Sequence, residues 1–138
     1  MTYAPGELTA VARTGGQETG RFSLRSASGT VGLAAVADRN AIRADDTDLA
    51  YVTLTLQDAA GTVALGVDRE VTVTVEGPGV LAGLGSAAPA TEESYLDAVH
   101  TTFDGRALAV VRPTGPGTVR VTASAPNCEP VTVTVGAR

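Results

Sequence analysis

The strongest constraint on the fold is an alternation of apolar and polar residues in two stretches, Leu49–Gln57 and Glu70–Val75. In the first, Val52, Leu54 and Leu56 alternate with threonine and glutamine, and in the second, valines alternate with threonines. Because successive side chains of a β-strand point to opposite faces, each stretch predicts a strand with one apolar face. Two strands cannot cover such faces alone, so the alternation predicts a second sheet and hence a β-sandwich.

Short apolar runs of the same kind recur along the chain, with turn residues between them. From residue 31 onward the predicted segments are Val31–Ala37, Ala41–Arg43, Leu49–Gln57, Arg69–Glu76, Val80–Leu84, Arg106–Arg112, Thr118–Ala125 and Val131–Val135. Turn signals about every 8–12 residues, without a helical period, are typical of an all-β immunoglobulin-like sandwich of about seven strands.

Residues 1–28 have the pattern of a separate β-hairpin, with strands Glu7–Arg13 and Arg21–Arg25 joined by the turn Thr14–Gly16. Two strands do not make a domain, so we expect this hairpin to be the C-terminal part of a preceding domain. The chain then divides into the hairpin 1–28 and a sandwich domain 29–138. The apolar side chains of the hairpin are expected to dock on the main sandwich or on another molecule.

Composition narrows the class of protein further. Apolar residues make up 43% of the 138 residues but aromatic residues only 4%, which predicts a core of valine, leucine and alanine in a single main domain. The net charge of −5 and the absence of a basic patch argue against nucleic acid and anionic membranes as partners. No apolar run is long enough for a transmembrane helix. The single Cys128 has no internal disulfide partner, so cysteine usage assigns no compartment.

The stretch Gly85–Asp104 has little periodicity, which is unusual inside a compact domain and is often functional or specially packed. Within it, Glu92–Asp97 predicts one helical turn with Tyr95 and Val99 on one face. We interpret the stretch as an ordered crossover that covers an open end of the sandwich, with a ligand-binding loop as the alternative.

His100, the only histidine, lies in this crossover near Asp97 and Asp104, and Ser94 would complete a catalytic triad on paper. These residue types are common, and no nucleophile-elbow pattern surrounds them. We therefore interpret His100 as a surface or loop-packing residue. A metal site built from His100 and Cys128 is not supported either, because the chain lacks the spacing of metal ligands.

Two groups of carboxylates suggest other sites. Asp45, Asp46 and Asp48, with Asp38 nearby, supply the oxygen ligands that calcium prefers, but they lack the EF-hand spacing, and aspartates also dominate turns. We interpret this cluster as a structural turn.

Glu92 and Glu93 are the residue type that glycosidases use as their two catalytic carboxylates. Their spacing does not fit this role, because adjacent residues rarely face each other across a sugar cleft. The rings available for sugar stacking are Tyr3, Tyr51, Tyr95, Phe22 and Phe103. We predict no catalytic, cofactor or metal site.

The order of the segments resembles the C-terminal immunoglobulin-like domain of bacterial glycoside hydrolase family 2 enzymes, mostly β-galactosidase-like. The resemblance covers about residues 31–136 and is carried by Ala37–Arg39, Ile42–Asp45, Asp48–Thr53, Asp58–Gly61, Val73–Gly83, Phe103–Val111 and Gly117–Ser124. In addition, Tyr3–Val11 looks like the end of the immunoglobulin-like domain that commonly precedes this one. One segment departs from the pattern: Gly85–Pro89 stands where the family often has Gly-Asn-Gly-Asp-Pro, so the polar contacts of that turn are not carried over.

The resemblance implies a non-catalytic accessory domain from a longer enzyme, since the catalytic glutamates of the family lie in its barrel. Its expected partners are the other domains of that enzyme, with carbohydrate as a further candidate. Two other functions stay open: a carbohydrate-binding module using the 85–104 crossover, and a bacterial surface adhesion-type immunoglobulin-like domain. Scarce aromatic residues argue against the first, and the lack of an internal repeat argues against the second.

Overall fold

The computed structural model describes residues 4–138, so Tyr3 lies outside the described residues. The regular elements between residues 4 and 138 are all β-strands, and no helix there is long and apolar enough to cross a membrane. The strands are β1 (Glu7–Thr14), β2 (Gln17–Arg25), β3 (Gly32–Ala37), β4 (Ala41–Ile42), β5 (Ala50–Gln57), β6 (Glu70–Glu76), β7 (Gly79–Gly85), β8 (Val99–Thr101), β9 (Arg106–Pro113), β10 (Gly117–Ser124) and β11 (Val131–Ala137).

Strands β3 to β11 form two sheets that pack into a sandwich. One sheet has the order β4-β11-β10-β6-β8 and the other the order β3-β5-β9-β7. Neighbouring strands are antiparallel except for the β4–β11 pair. Seven of these strands have six residues or more, and β4 and β8 are short. The predicted all-β sandwich of about seven strands is therefore confirmed.

The alternation in the sequence corresponds to the two faces of each strand. On β5, Val52, Leu54 and Leu56 are fully buried, and on β6 the buried positions are Val71 and Val73. One continuous core fills the space between the sheets and, apart from a single isoleucine, contains only valine, leucine and alanine. The predicted core composition is confirmed, because alternate side chains from both sheets supply it without aromatic residues.

The N-terminal hairpin forms as predicted, and the sandwich does not bury its apolar side chains. A two-residue turn joins its strands, and Gly15 and Gly16 both have positive φ, which glycine adopts without steric cost. Leu8, Phe22 and Leu24 remain 73%, 69% and 60% exposed. Leu8 and Leu24 line a concave surface together with Val63 and Leu65 of the sandwich, but the sandwich does not bury them. Docking of these side chains on another molecule stays a prediction.

The crossover also differs from the sequence prediction. No helical turn forms in residues 92–97, and residues 99–101 instead add the edge strand β8 beside β6. The hydroxyl of Thr91 accepts a hydrogen bond from the backbone N–H of Glu93, and that of Ser94 accepts one from Leu96. Such short-range bonds compete with helix formation, which explains the missing turn.

Candidate functional site

His100 is fully buried on the edge strand β8, so the interpretation as a surface residue is wrong and that as a packing residue applies. Its Nδ1 atom lies 3.0 Å from the backbone oxygen of Thr101 and 3.4 Å from Oε2 of Glu93. Because both neighbours accept hydrogen bonds, Nδ1 carries the proton. The ring of Tyr95 stacks on the imidazole at a centroid distance of 5.5 Å and an interplanar angle of 17°.

Glu93 connects the crossover to β8 through hydrogen bonds. Its Oε1 accepts hydrogen bonds from the backbone N–H and the hydroxyl of Thr101, at 2.9 and 2.8 Å. The Thr101 hydroxyl is the main reason why the pKa of Glu93 lies below its ordinary value of 4.5, while burial acts in the opposite direction. Glu93 is therefore an ionised structural anchor, whereas its neighbour Glu92 is exposed. The two do not form a glycosidase pair.

The catalytic triad of Ser94, His100 and an aspartate, which the sequence suggested, does not form. Ser94 accepts a hydrogen bond from the Leu96 backbone, and within residues 4–138 no hydrogen bond joins it to His100. Asp97 is exposed, and Asp104 has a φ of 49° in the two-residue turn between Phe103 and Arg106. The carboxylate beside His100 is Glu93 instead, and the fully buried imidazole cannot reach a substrate in solvent.

The acidic cluster forms turn hydrogen bonds. Asp45 Oδ1 accepts hydrogen bonds from the Thr47 hydroxyl and from the backbone N–H groups of Thr47 and Asp48. Asp48 accepts hydrogen bonds from the backbone N–H groups of Arg43 and Leu49. The Thr47 hydroxyl is the first cause of the lowered pKa of Asp45, and the Arg43 amide that of Asp48. No group of three or more metal-ligating side chains occurs in the described part of the chain.

Asp58 joins the segment after the hairpin to the sandwich, a role that sequence reasoning missed. It is buried, and its Oδ2 accepts a hydrogen bond from the Ser28 backbone N–H at 3.0 Å. Its Oδ1 accepts hydrogen bonds from Ala60 and Thr62, which closes the turn predicted at residues 58–61. These amides, Ser28 first, lower the pKa of Asp58. The turn was visible in the sequence, but the bond across 30 residues had no local signal.

Cys128 has a structural environment. It is partly buried, and the guanidinium of Arg69 donates a hydrogen bond to its sulfur at 2.8 Å. The same Arg69 nitrogen lies 3.3 Å from the backbone oxygens of Val31 and Pro126. Arg69 therefore connects the start of the sandwich to the segment before β11. The hydrogen bonds of the thiol go to Arg69 and Val31, and those of His100 go to other residues.

A concave site with a mostly apolar lining lies on the outer face of the four-stranded sheet. It has a volume of about 510 Å³, and its lining includes Leu108 and Val110 of β9, Gly85 of β7, and the ring of Tyr95 from the crossover. The segment at residues 85–89 that departs from the family pattern contributes Ser86 to this lining. The structure thus places the crossover beside a groove, which its sequence alone did not indicate.

The protein is a β-sandwich, and the side chains considered as catalytic candidates form hydrogen bonds that stabilise the fold. Residues 33–134 match the model of the glycoside hydrolase family 2 C-terminal domain 5, and the chain belongs to this family.

Similar proteins include a β-galactosidase of Bacteroides ovatus, 29% identical over 125 residues that cover 90% of this chain and 15% of the relative. A solved glycosyl hydrolase family 2 member from Bacteroides cellulosilyticus is 33% identical at a TM-score of 0.93, covering 100% of this chain and 18% of that one. A β-glycosidase from Bacteroides vulgatus has the same fold, with a TM-score of 0.86 at 17% identity, covering 98% of this chain and 18% of its own. The chain thus spans less than a fifth of the length of these relatives.

Proposed function

We propose that this chain is a non-catalytic accessory domain of a glycoside hydrolase family 2 enzyme, and that it positions or stabilises the other domains of that enzyme. The family match and the much greater length of the relatives support this proposal. The relatives include a β-galactosidase and a β-glycosidase, so the longer enzyme is proposed to be a glycoside hydrolase of the β-galactosidase-like kind.

The burial of the single histidine is the main observation that supports a non-catalytic role. His100 is enclosed between Tyr95 and the hydrogen bonds of β8, and the carboxylate next to it is held by Thr101. A general acid or base must come within hydrogen-bond reach of a substrate, which a fully buried side chain does not. We propose that residues 4–138 contain no catalytic, cofactor or metal site.

We further propose that residues 1–28 belong to a preceding domain and residues 29–138 to the sandwich. The pairing of β1 with β2 puts Leu8 opposite Leu24 and Ala10 opposite Phe22 on one face. The other face is polar, with an ion pair between Glu7 and Arg25. An exposed hairpin with one apolar face needs a covering sheet, and a preceding domain would supply it.

The function is tested by assaying the purified chain with nitrophenyl β-galactoside, β-glucoside and β-glucuronide. We expect no hydrolysis above the uncatalysed rate. Hydrolysis that disappears in both His100→Ala and Glu93→Gln, while Thr134→Ala stays active, would refute the accessory role.

The domain division is tested with a shortened chain of residues 29–138. It should unfold cooperatively and keep most of the stability of the full chain, because the core lies within β3 to β11. An unfolded 29–138 chain would contradict the division. That result would leave the hydrolysis assay, and hence the accessory role, unaffected.

A further inference from the structure

The outer faces of the two sheets differ in chemistry. On the five-stranded sheet, neighbouring outward positions of β6, β10 and β11 carry Thr74, Thr122 and Thr132, and the hydroxyls of Thr122 and Thr132 lie 2.9 Å apart. Such a surface is well solvated. On the four-stranded sheet, outward positions carry Tyr51 and Leu108, which are 38% and 40% exposed.

Apolar residues occupy several neighbouring outward positions of the four-stranded sheet. Val36 of β3 and Leu108 of β9 are both paired with Thr53 of β5, so they lie in one row across the sheet. Tyr51 is paired with Val110 in the adjacent row. Val36 is 66% exposed despite its apolar side chain. Neighbouring exposed apolar side chains of this extent are typical of interaction sites.

The crossover extends this surface beyond the edge strand β7. A Cβ atom on Gly85 would lie 2.5 Å from Cδ1 of Tyr95, so the ring packs directly on the glycine backbone. The imidazole of His100 also stacks on this ring. Tyr95 is still 52% exposed, and it forms one wall of the groove. This fixed aromatic wall is the kind of anchor that interfaces use.

The charges on this sheet indicate the chemistry of its partner. Strands β3, β5, β7 and β9 contain no carboxylate, and their only charged residues are Arg106 and Arg112, although the chain has 15 acidic residues. Arg112 has a long contact with Asp46, with 3.4 Å between Nη1 and Oδ1. A partner with an apolar centre and carboxylates at its rim would complement this surface.

We propose that the outer face of the four-stranded sheet, with Tyr95, is the surface on which this domain packs against another domain of its own longer polypeptide. This rests on the accessory role proposed above, and the length of the relatives supplies the additional chain. Two copies of the chain fit less well, because a symmetric dimer places the same patch against itself, and the strands of this patch carry arginines but no carboxylates. Sugar also fits less well, because few polar side chains converge in the groove.

Hydroxyl-radical footprinting of the 138-residue chain and of the full-length enzyme tests the proposal. We expect oxidation of Tyr51, Tyr95 and Leu108 to fall several-fold in the full-length enzyme. Equal oxidation in both proteins would refute the proposed interface. It would not bear on the accessory role, which the hydrolysis assay tests separately. Protection of the same residues by lactose in the 138-residue chain would overturn it in favour of a sugar site.

Paired substitutions give a second measurement. Leu108→Glu should lower the melting temperature of the full-length enzyme but leave that of the 138-residue chain nearly unchanged. The matched control, Thr134→Glu on the other outer face, should be neutral in both, since Thr134 is exposed and lies opposite Arg120. Equal effects of the two substitutions in the full-length enzyme would overturn the proposal. So would a concentration-dependent dimer of the 138-residue chain that Leu108→Glu abolishes.

Discussion

Replacing Leu54 by alanine tests the packing on which the whole fold depends. Leu54 is fully buried on β5, and its in-sheet neighbours on that face are the small side chains Ala35 and Ala107. These neighbours cannot expand to fill the space that is lost. Leucine-to-alanine changes at such sites cost about 3–5 kcal/mol, and we expect Leu54→Ala to lie in the upper half of this range.

That loss converts into a measurable shift in melting temperature. An unfolding entropy of about 2.1 cal/mol/K per residue gives roughly 0.3 kcal/mol/K for a chain of this length, so a loss of about 4 kcal/mol lowers the melting temperature by about 14 °C.

The matched control is Thr53→Ala on the same strand, because Thr53 points outward and is exposed. Thermal and urea unfolding of both variants, followed by circular dichroism, should show a large loss for Leu54→Ala and almost none for Thr53→Ala. Equal losses would refute the assignment of faces, since a register shift of one residue exchanges the buried and exposed sides of a strand.

Three further expectations follow from named contacts. Val73→Asp should unfold the chain, because it places an unpaired charge in the core. Thr72→Asp, on the outward side of β6, should lower the melting temperature only slightly. Equal melting temperatures of the two variants would contradict this assignment of faces. Asp58→Asn should lower the melting temperature at pH 7. The folded pKa of Asp58 lies below its ordinary value of 3.8, so its stabilisation is present above that value and lost as pH falls through the folded pKa. The difference in melting temperature between Asp58→Asn and the wild type should therefore become smaller as the pH falls. A difference that does not change with pH would refute the role of the charge. Excess calcium should not raise the melting temperature, and a rise that Asp45→Ala and Asp48→Ala abolish would show a metal site.

The parts of the fold that the sequence predicted are those with a period of two. On β5 and β6 the residue type changes at every position between core and solvent, so Leu54 and Val73 could be assigned to faces without any knowledge of their neighbours. The turn at Gly15 and Gly16 was equally local, because two adjacent glycines favour a tight hairpin. Hydrophobic periodicity and turn chemistry act over a few residues, and within that range the sequence was sufficient.

The parts that it did not predict depend on contacts between distant segments. His100 has no apolar periodicity around it, and its burial follows from the pairing of β8 with β6 and from Tyr95 stacking above it. Glu93 and Asp58 are similar cases, since each carboxylate is held by amides that only the folded chain brings near. What covers the apolar face of the hairpin stays open, because an apolar pattern shows that a face must be covered and does not show by what.

The outward positions of the strands contain information that the inward positions lack. Inward residues are valine, leucine and alanine in both sheets, so they specify a sandwich without distinguishing its two surfaces. Outward residues are mostly threonine on one sheet and include Val36, Tyr51 and Leu108 on the other. Solvation alone would favour the same polar composition on both, so the difference requires a second cause. The partner proposed above for the four-stranded sheet would supply that cause, and such a partner agrees with the proposed accessory role, in which the domain contributes to an enzyme by packing.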